Sequence, residues 1–268
     1  DFTPGTPPLA EVCRAGSASG RSREINQLIL SAEGVRTLSV TNSSSNPLLT
    51  LCETGILVGD FRDSRVSSIG FTAILLALGM LSDAIVHDKP DAKWQTITDT
   101  LMSALEDADD SLRTFAADIA EVGEVDVVAE SAQITSAEEG ALLFREGPFL
   151  PSTAMNTRAY LHGPMDSAGR RTSHVLFGRA REALLAEQLA EQKAPILLIT
   201  DEDVSAPARV IRIPSSFTAT QRSLIEIVLV QRLVSLVGAV RGVDIDATVF
   251  RRLDTKVDSI DEVRRERV

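Results

Sequence analysis

A chain of 268 residues that is 44% apolar is long enough for one large or two modest domains with real cores, which excludes a disordered chain. Its formal charge of -11 argues against a broad nucleic-acid footprint or an anionic-membrane surface, so any anionic ligand must be held by local donors. Two cysteines, Cys13 and Cys52, sit in no metal-ligand spacing, and buried or idle thiols in a cytoplasmic protein are the expectation; no metal and no cofactor is expected.

From the amino terminus, "SASGRSRE" (Ser17 to Glu24) places three serines and a glycine before an amphipathic run. Ser22 in the N-cap position accounts for one of them, with a helix over 22–32. Ser17, Ser19 and Gly20 need another reason. Small hydroxyl residues entering a helix offer side-chain and backbone donors to one point, where the helix dipole favours negative charge. Strands are expected over 36–41 and 55–58. "SRVSSIGFTA" (Ser64 to Ala73) then repeats the design, leading into a helix over 68–86. Two such loops, each after a strand, would converge on one anion. The run 69–86 is apolar but carries Gly70, Gly79, Ser82 and Asp83, which fits a core helix better than a membrane span.

"HDKPDAKW" (His87 to Trp94) punctuates the pattern, and a long helix over 93–119 follows. Further strands are expected over 125–129, 174–177, 195–200 and 209–213, and further helices over 136–146, 179–192 and 219–240. Strands alternating with helices predict an α/β fold of parallel sheets covered on both faces, in two doubly wound, flavodoxin-like halves, 1–122 and 123–268. Ligands of such sheets bind beyond the carboxyl ends of the strands.

In the second half, "SAEEGALLFREGPF" puts Glu139, Leu143 and Glu146 on one helix face, and sixteen residues after Glu146 comes His162 in "YLHGP". Histidine before Gly-Pro lies in a turn, where a ring can project into a cleft.

These motifs resemble the sugar isomerase (SIS) family, in particular double-SIS proteins similar to the isomerase half of glucosamine-6-phosphate synthase. The pattern S-x-S-G-x-[ST] reads as Ser17 to Ser22. The family's "ITN" strand end reads as "SVTNSSSNPLL", and its S-x-x-S-T-x-x-F-T-A helix start as "SRVSSIGFTA". Its E-G-A-L-x-x-x-E helix followed by H-G-P is present as well, and the order and spacing hold to about Asp246. The resemblance implies two SIS-type subdomains, the first binding phosphate through Ser17, Ser19, Ser22 and Ser67, the second carrying the acid/base residues. It makes Glu146 the C1/C2 base, His162 the ring-opening group and Glu139 a residue that orients the sugar. It also implies a homodimer with composite sites.

The departures are specific. Ala18 replaces the commoner glutamine, and Ile69 stands where lysine is frequent. Ala129, Glu130 and Ser131 replace a G-x-G, so no second phosphate is expected in this half. "VRGVDIDATVFRRLDTKV" resembles the segment before the family's catalytic lysine; without gaps Leu253 takes that place, and Lys256 matches, with a Schiff-base role, only if the loop is longer. The family's first strand and glycine-rich loop have no counterpart, and "AEVCRAG" is too short and polar for a buried strand into Ser17. Residues are therefore expected to precede Asp1 and to be absent at the Gly16/Ser17 junction.

The function expected is a phosphosugar isomerase or aminosugar-phosphate deaminase acting on a hexose 6-phosphate. The alternatives are a non-catalytic sugar-phosphate-binding module and a fructosamine-phosphate deglycase. Neither nucleic acid nor membrane is an expected partner.

Overall fold

The computed structural model describes residues 12–32, 34–250, 253 and 255–265. In chain order the elements are β1 Val12–Ser17, α1 Arg23–Ser31, β2 Arg36–Thr41, α2 Pro47–Leu51, β3 Thr54–Leu57, α3 Ile69–His87, α4 Ile97–Val122, β4 Val125–Ala129, α5 Ile134–Glu146, β5 Ser152–Asn156, α6 Thr157–Leu161, β6 Ser173–Phe177, α7 Ala180–Glu191, β7 Ile196–Thr200, β8 Arg209–Arg212, α8 Ala219–Arg241 and α9 Ile260–Arg265. Both sheets are parallel throughout, one of order β1-β2-β3 and one of order β5-β4-β6-β7-β8. The α/β class is as the alternation of strands and helices predicts.

The compact units differ from the expected halves 1–122 and 123–268. Unit 1 is 1–89 together with 248–268, and unit 2 is 90–247. The reason is packing: α4 lies along α8 and contacts β6 and β8, so the long helix belongs to the second sheet and does not bridge two halves. The carboxyl-terminal segment returns to the first sheet, where α9 contacts α1.

Unit 2 has the larger core. Every residue of β4, β6 and β7 is buried. Val128, Leu176 and Leu198 pack with Leu185, Ala186 and Leu189 of α7 on one face. On the other, Val127 lies beneath Gly140 of α5, which also approaches Val230 of α8. The rings of Phe115, Phe144 and Phe177 are fully buried, each stabilising the fold by about 1.5–3 kcal/mol relative to exposure. α8 is the central helix, with a Thr218/Gln221 capping box at its start. One buried polar group is tied in: the Tyr160 hydroxyl lies 3.0 Å from Asp126 and 2.8 Å from His174 Nε2. Burial lowers the imidazole of His174 to about 4, against the opposing pull of Asp126, so the ring is neutral at pH 7.

Unit 1 is a three-stranded sheet, and here two expectations are corrected. β1 does run into Ser17, in register with β2 through Gly16↔Val40 and Ser17↔Thr41. Among the described residues it pairs with β2 alone, and only Ala15 and Ser17 of it are buried, so Arg14 sits exposed. The residues before Val12 lie outside the described ones. Among the described residues α3 and α8 are long and apolar enough to cross a membrane by composition, but they differ: α8 is two-thirds buried, whereas only Gly70 and Gly79 of α3 are. α3 is therefore not the core helix expected; most of its apolar side chains are half-covered. Cys13 and Cys52 are half-buried free thiols against Ala15, Ile29 and Leu48, and burial pushes the Cys52 thiol up.

Candidate functional site

The loops beyond the carboxyl ends of β1, β2 and β3 meet. Ser17 ends β1, and Gly20 turns the chain back with φ of 63°, its N–H shared between Ser17 O and Ser17 Oγ, each at 3.1 Å. Ser22 occupies the N-cap position of α1 but makes no capping bond. Its hydroxyl lies 3.1 Å from that of Ser17, and Ser19 Oγ accepts from Arg21 N–H at 3.3 Å. Thus three of the serines assigned to phosphate share one loop.

Two asparagines that sequence reasoning did not single out shape this loop. Asn26, fully buried one turn into α1, donates to the carbonyls of Gly20 and Ser22. Asn42, the last residue of "SVTN", donates its backbone N–H to Ala18 O at 2.9 Å, and its amide pairs both ways with the backbone of Phe61. The motif was visible, but the partners of its asparagine lie 24 residues back and 19 ahead, and no local pattern reveals them.

The fourth residue, Ser67, is near. A Cβ built on Gly70 would stand 3.1 Å from the Ala18 Cβ and 3.2 Å from Ser67 Oγ, so the start of α3 abuts the serine loop. Between them lies a carboxylate: Asp63 accepts from Ser67 Oγ–H at 2.8 Å, Gly70 N–H at 2.8 Å, Ser68 N–H at 3.1 Å and Ser64 N–H at 3.0 Å. Burial pushes Asp63 upward, but these hydrogen bonds outweigh it and hold the acid below its ordinary value. Asp63, and not Ser68, serves the first donors of α3.

Lys256 also reaches the loop. Its segment forms an antiparallel bridge with Ser22, continued by Val257 N–H to Arg21 O at 2.9 Å and Arg23 N–H to Thr255 O at 3.2 Å. This strap, residues 255–258, is held further by Arg21 pairing with Asp258 at 2.7 Å and by its own Val257, which is fully buried. Lys256 Nζ donates to Ser19 Oγ at 3.2 Å and Ser22 Oγ at 3.4 Å. Exposed Leu253, the ungapped alternative, makes no such bond among those described.

Gly20 is a strict requirement of this geometry. A Cβ there would fall 2.0 Å from Asn46 Oδ1, which caps α2 through Leu49 N–H. With positive φ as well, Gly20→Ala is expected to destabilise unit 1 by about 1–3 kcal/mol and to displace Ser19. Urea unfolding monitored alongside phosphate titration checks both effects; a variant with wild-type values for each refutes the assignment.

In unit 2, Glu146 is the last residue of α5 and half-buried, and Glu139 on the same helix is buried. His162 caps the end of α6, exposed, before Gly163 with φ of 144°. The structure does not bring Glu146 and His162 together. Glu146 precedes β5, at the amino edge of the sheet where Val125 pairs with Ser152; His162 follows β5, beyond the carboxyl edge where Ala129 pairs with Asn156. A five-residue strand separates these edges by roughly 15 Å.

The order β5-β4-β6 makes the gap between β4 and β6 the point where the winding reverses, the usual ligand crevice of such sheets. A cavity of about 440 Å³ lies there, lined by Ser131, Gln133, Arg179, Arg181 and Arg222 among others. The chain's own acids occupy its cations and its helix start. Glu130 pairs with Arg158 at 2.8 Å and with Arg181, Asp201 pairs with Arg179 at 2.8 Å and with Arg222, and Glu202 accepts from Ala180 N–H at 3.2 Å. Beneath it, burial raises the carboxyl of Glu226 against hydrogen bonds from Ser136 and Gln133.

This architecture is that of the sugar isomerase (SIS) structures. The chain is similar to the C-terminal domain of glucosamine-fructose-6-phosphate aminotransferase from Francisella tularensis, at 15% identity and TM-score 0.78 over 88% of this chain and 73% of that one. It is similar to glucosamine-6-phosphate deaminase from Thermotoga maritima, at 19% and 0.76 over 92% and 76%, and to tagatose-6-phosphate ketose/aldose isomerase from Escherichia coli, at 13% and 0.73 over 95% and 74%. No family model and no curated protein sequence matches the chain.

Proposed function

We propose that the protein is a phosphosugar isomerase or aminosugar-phosphate deaminase acting on a hexose 6-phosphate or its 2-amino form. The observation that carries this reading is the serine loop, where the hydroxyls of Ser17, Ser19 and Ser22 and the ammonium of Lys256 converge at the carboxyl end of a parallel sheet. The likeness to enzymes of phosphosugars supports it.

In the proposed mechanism the loop holds the phosphate, with Ser67 at its margin. His162 takes the anomeric hydroxyl proton and delivers it to the ring oxygen as the bond from C1 to that oxygen breaks, opening the ring. Glu146 removes the proton from C2 of the aldose, giving an enediol, and returns it to C1, giving the ketose; atoms balance without a cofactor. With an amine at C2, the same transfer gives an enolamine and then a C2 imine. Water hydrolyses the imine, releasing ammonia and the ketose phosphate. Glu139 orients the sugar. The strand length between Glu146 and His162 supports a homodimer in which each subunit lends one of the two to a composite site.

The test is proton NMR of fructose 6-phosphate and glucosamine 6-phosphate in deuterated water with the full chain. Deuterium is expected at C1 or C2, with ammonia from the amino sugar if the protein is a deaminase. Ser19→Ala is expected to weaken substrate binding about tenfold, as loss of one hydrogen bond to a charged group does. Substrate line broadening without any exchange would overturn the catalytic reading in favour of a binding module.

A further inference from the structure

The anion-binding parts of unit 1 are not equivalent. At the start of α3, the donors facing the serine loop already meet an anion: the two oxygens of Asp63 take two serine N–H groups, the Gly70 N–H and the Ser67 hydroxyl. At the serine loop the balance is reversed. Its hydroxyls bond one another and Lys256, whose ammonium has three donor positions and points at both Ser19 Oγ and Ser22 Oγ. Among the described residues, the strap's Asp258 is taken by Arg21 at 2.7 Å. The α3 start thus carries a fixed negative charge and the serine loop meets a positive one, and the two elements approach where Ala18 faces Gly70.

We infer that the ligand's phosphate is seated between the serine loop and Lys256, and that Asp63 keeps it off the α3 helix start, so that Lys256 and Asp63 together set phosphate affinity. This rests on the phosphosugar reading above and adds how that site takes its anion. The strap geometry supports it: Lys256 is pinned by backbone bonds on both sides, Thr255 to Arg23 and Val257 to Arg21, so its ammonium is held at the loop before any ligand arrives. Where a loop offers only hydroxyl and N–H donors, a preorganised ammonium supplies the missing charge. An ammonium held on an anion is a binding group and not an amine free to form a Schiff base, so Lys256 serves here as a specificity residue.

The experiment is titration of the full chain with inorganic phosphate and with glucose 6-phosphate, followed by phosphorus NMR at low and moderate salt. Lys256→Met is expected to weaken both ligands about tenfold or more and to flatten the salt dependence, since a charge-assisted bond is lost. Asp63→Asn keeps the side-chain shape while removing the repelling charge, and is expected to tighten phosphate binding several-fold. Circular dichroism checks that both variants fold; exposed Lys256 is removable without a cavity. A Lys256→Met protein that binds within twofold of wild type, or an Asp63→Asn protein that gains no affinity, overturns the inference while leaving the phosphosugar reading intact. Wild-type protein that binds neither ligand overturns both.

Discussion

Replacing Glu146 by Gln is expected to reduce deuterium exchange at C1 and C2 by about 10²–10⁴-fold while leaving sugar-phosphate binding within a few-fold of wild type. The amide has the shape of the carboxyl group but cannot accept and return a proton. The position tolerates the change structurally, because Glu146 ends its helix and is half-buried, while the chain reversal beyond it is fixed by Gly147. A Cβ on that glycine would come 2.8 Å from Val234. Exchange measured by proton NMR beside phosphorus-detected binding separates chemistry from affinity. Wild-type exchange in the Gln variant would remove Glu146 from the mechanism.

The largest stability effect is expected at Asp201. Its side chain is 2% exposed and bonds Arg179 through two guanidinium nitrogens and Arg222, itself 10% exposed. Hydrogen bonds from Arg179 lead in holding its carboxyl at about 2, with burial opposing and Arg222 adding to the depression. Asp201→Ala leaves the buried guanidinium of Arg222 on Gln133, which is neutral, and is expected to destabilise unit 2 by about 3–5 kcal/mol. Because the folded value is depressed, the carboxylate stabilises the fold above its ordinary value of 3.8, and that contribution fades as pH falls through about 2. Thermal melting should therefore show a drop of about 10 °C at neutral pH that shrinks towards pH 2. An unchanged melting temperature at neutral pH would mean the network contributes nothing.

Glu202, beside Asp201, and Asp63 have a common role that no motif announces. In each unit a long helix begins where an anion would be favoured, and in each an acid of this chain stands at or beside that start. Asp63 serves α3, and Glu202, next to Asp201, serves α7. The start of α3 was legible as a hydroxyl cluster. The acids were not, because Asp and Glu are common on exposed loops and only their hydrogen bonds distinguish them.

The strands of the second sheet were legible for a simple reason. "VDVVA", "SHVLF" and "ILLIT" are buried on both faces, which forces continuous apolar sequence. β1 and β5 were missed because neither carries a continuous apolar run: VCRAGS and STAMN mix polar and small residues, and only part of each is buried. The short helices α2, α6 and α9, of five, five and six residues, are too brief for a periodic signal.

The sequence by itself determined the α/β class, the parallel sheets and the serine loop, since each follows from local periodicity or from neighbouring residue types, whereas Glu146 and His162 stood out only through the family resemblance. Tertiary structure alone decided which unit α4 joins and that the carboxyl-terminal strap brings Lys256 across more than 230 residues to Ser19 and Ser22. It alone also set Glu146 and His162 at opposite edges of one sheet. These are relations between residues distant along the chain, fixed by burial of α4 against α8 and of the strap's Val257, and such contacts leave no spacing to be read.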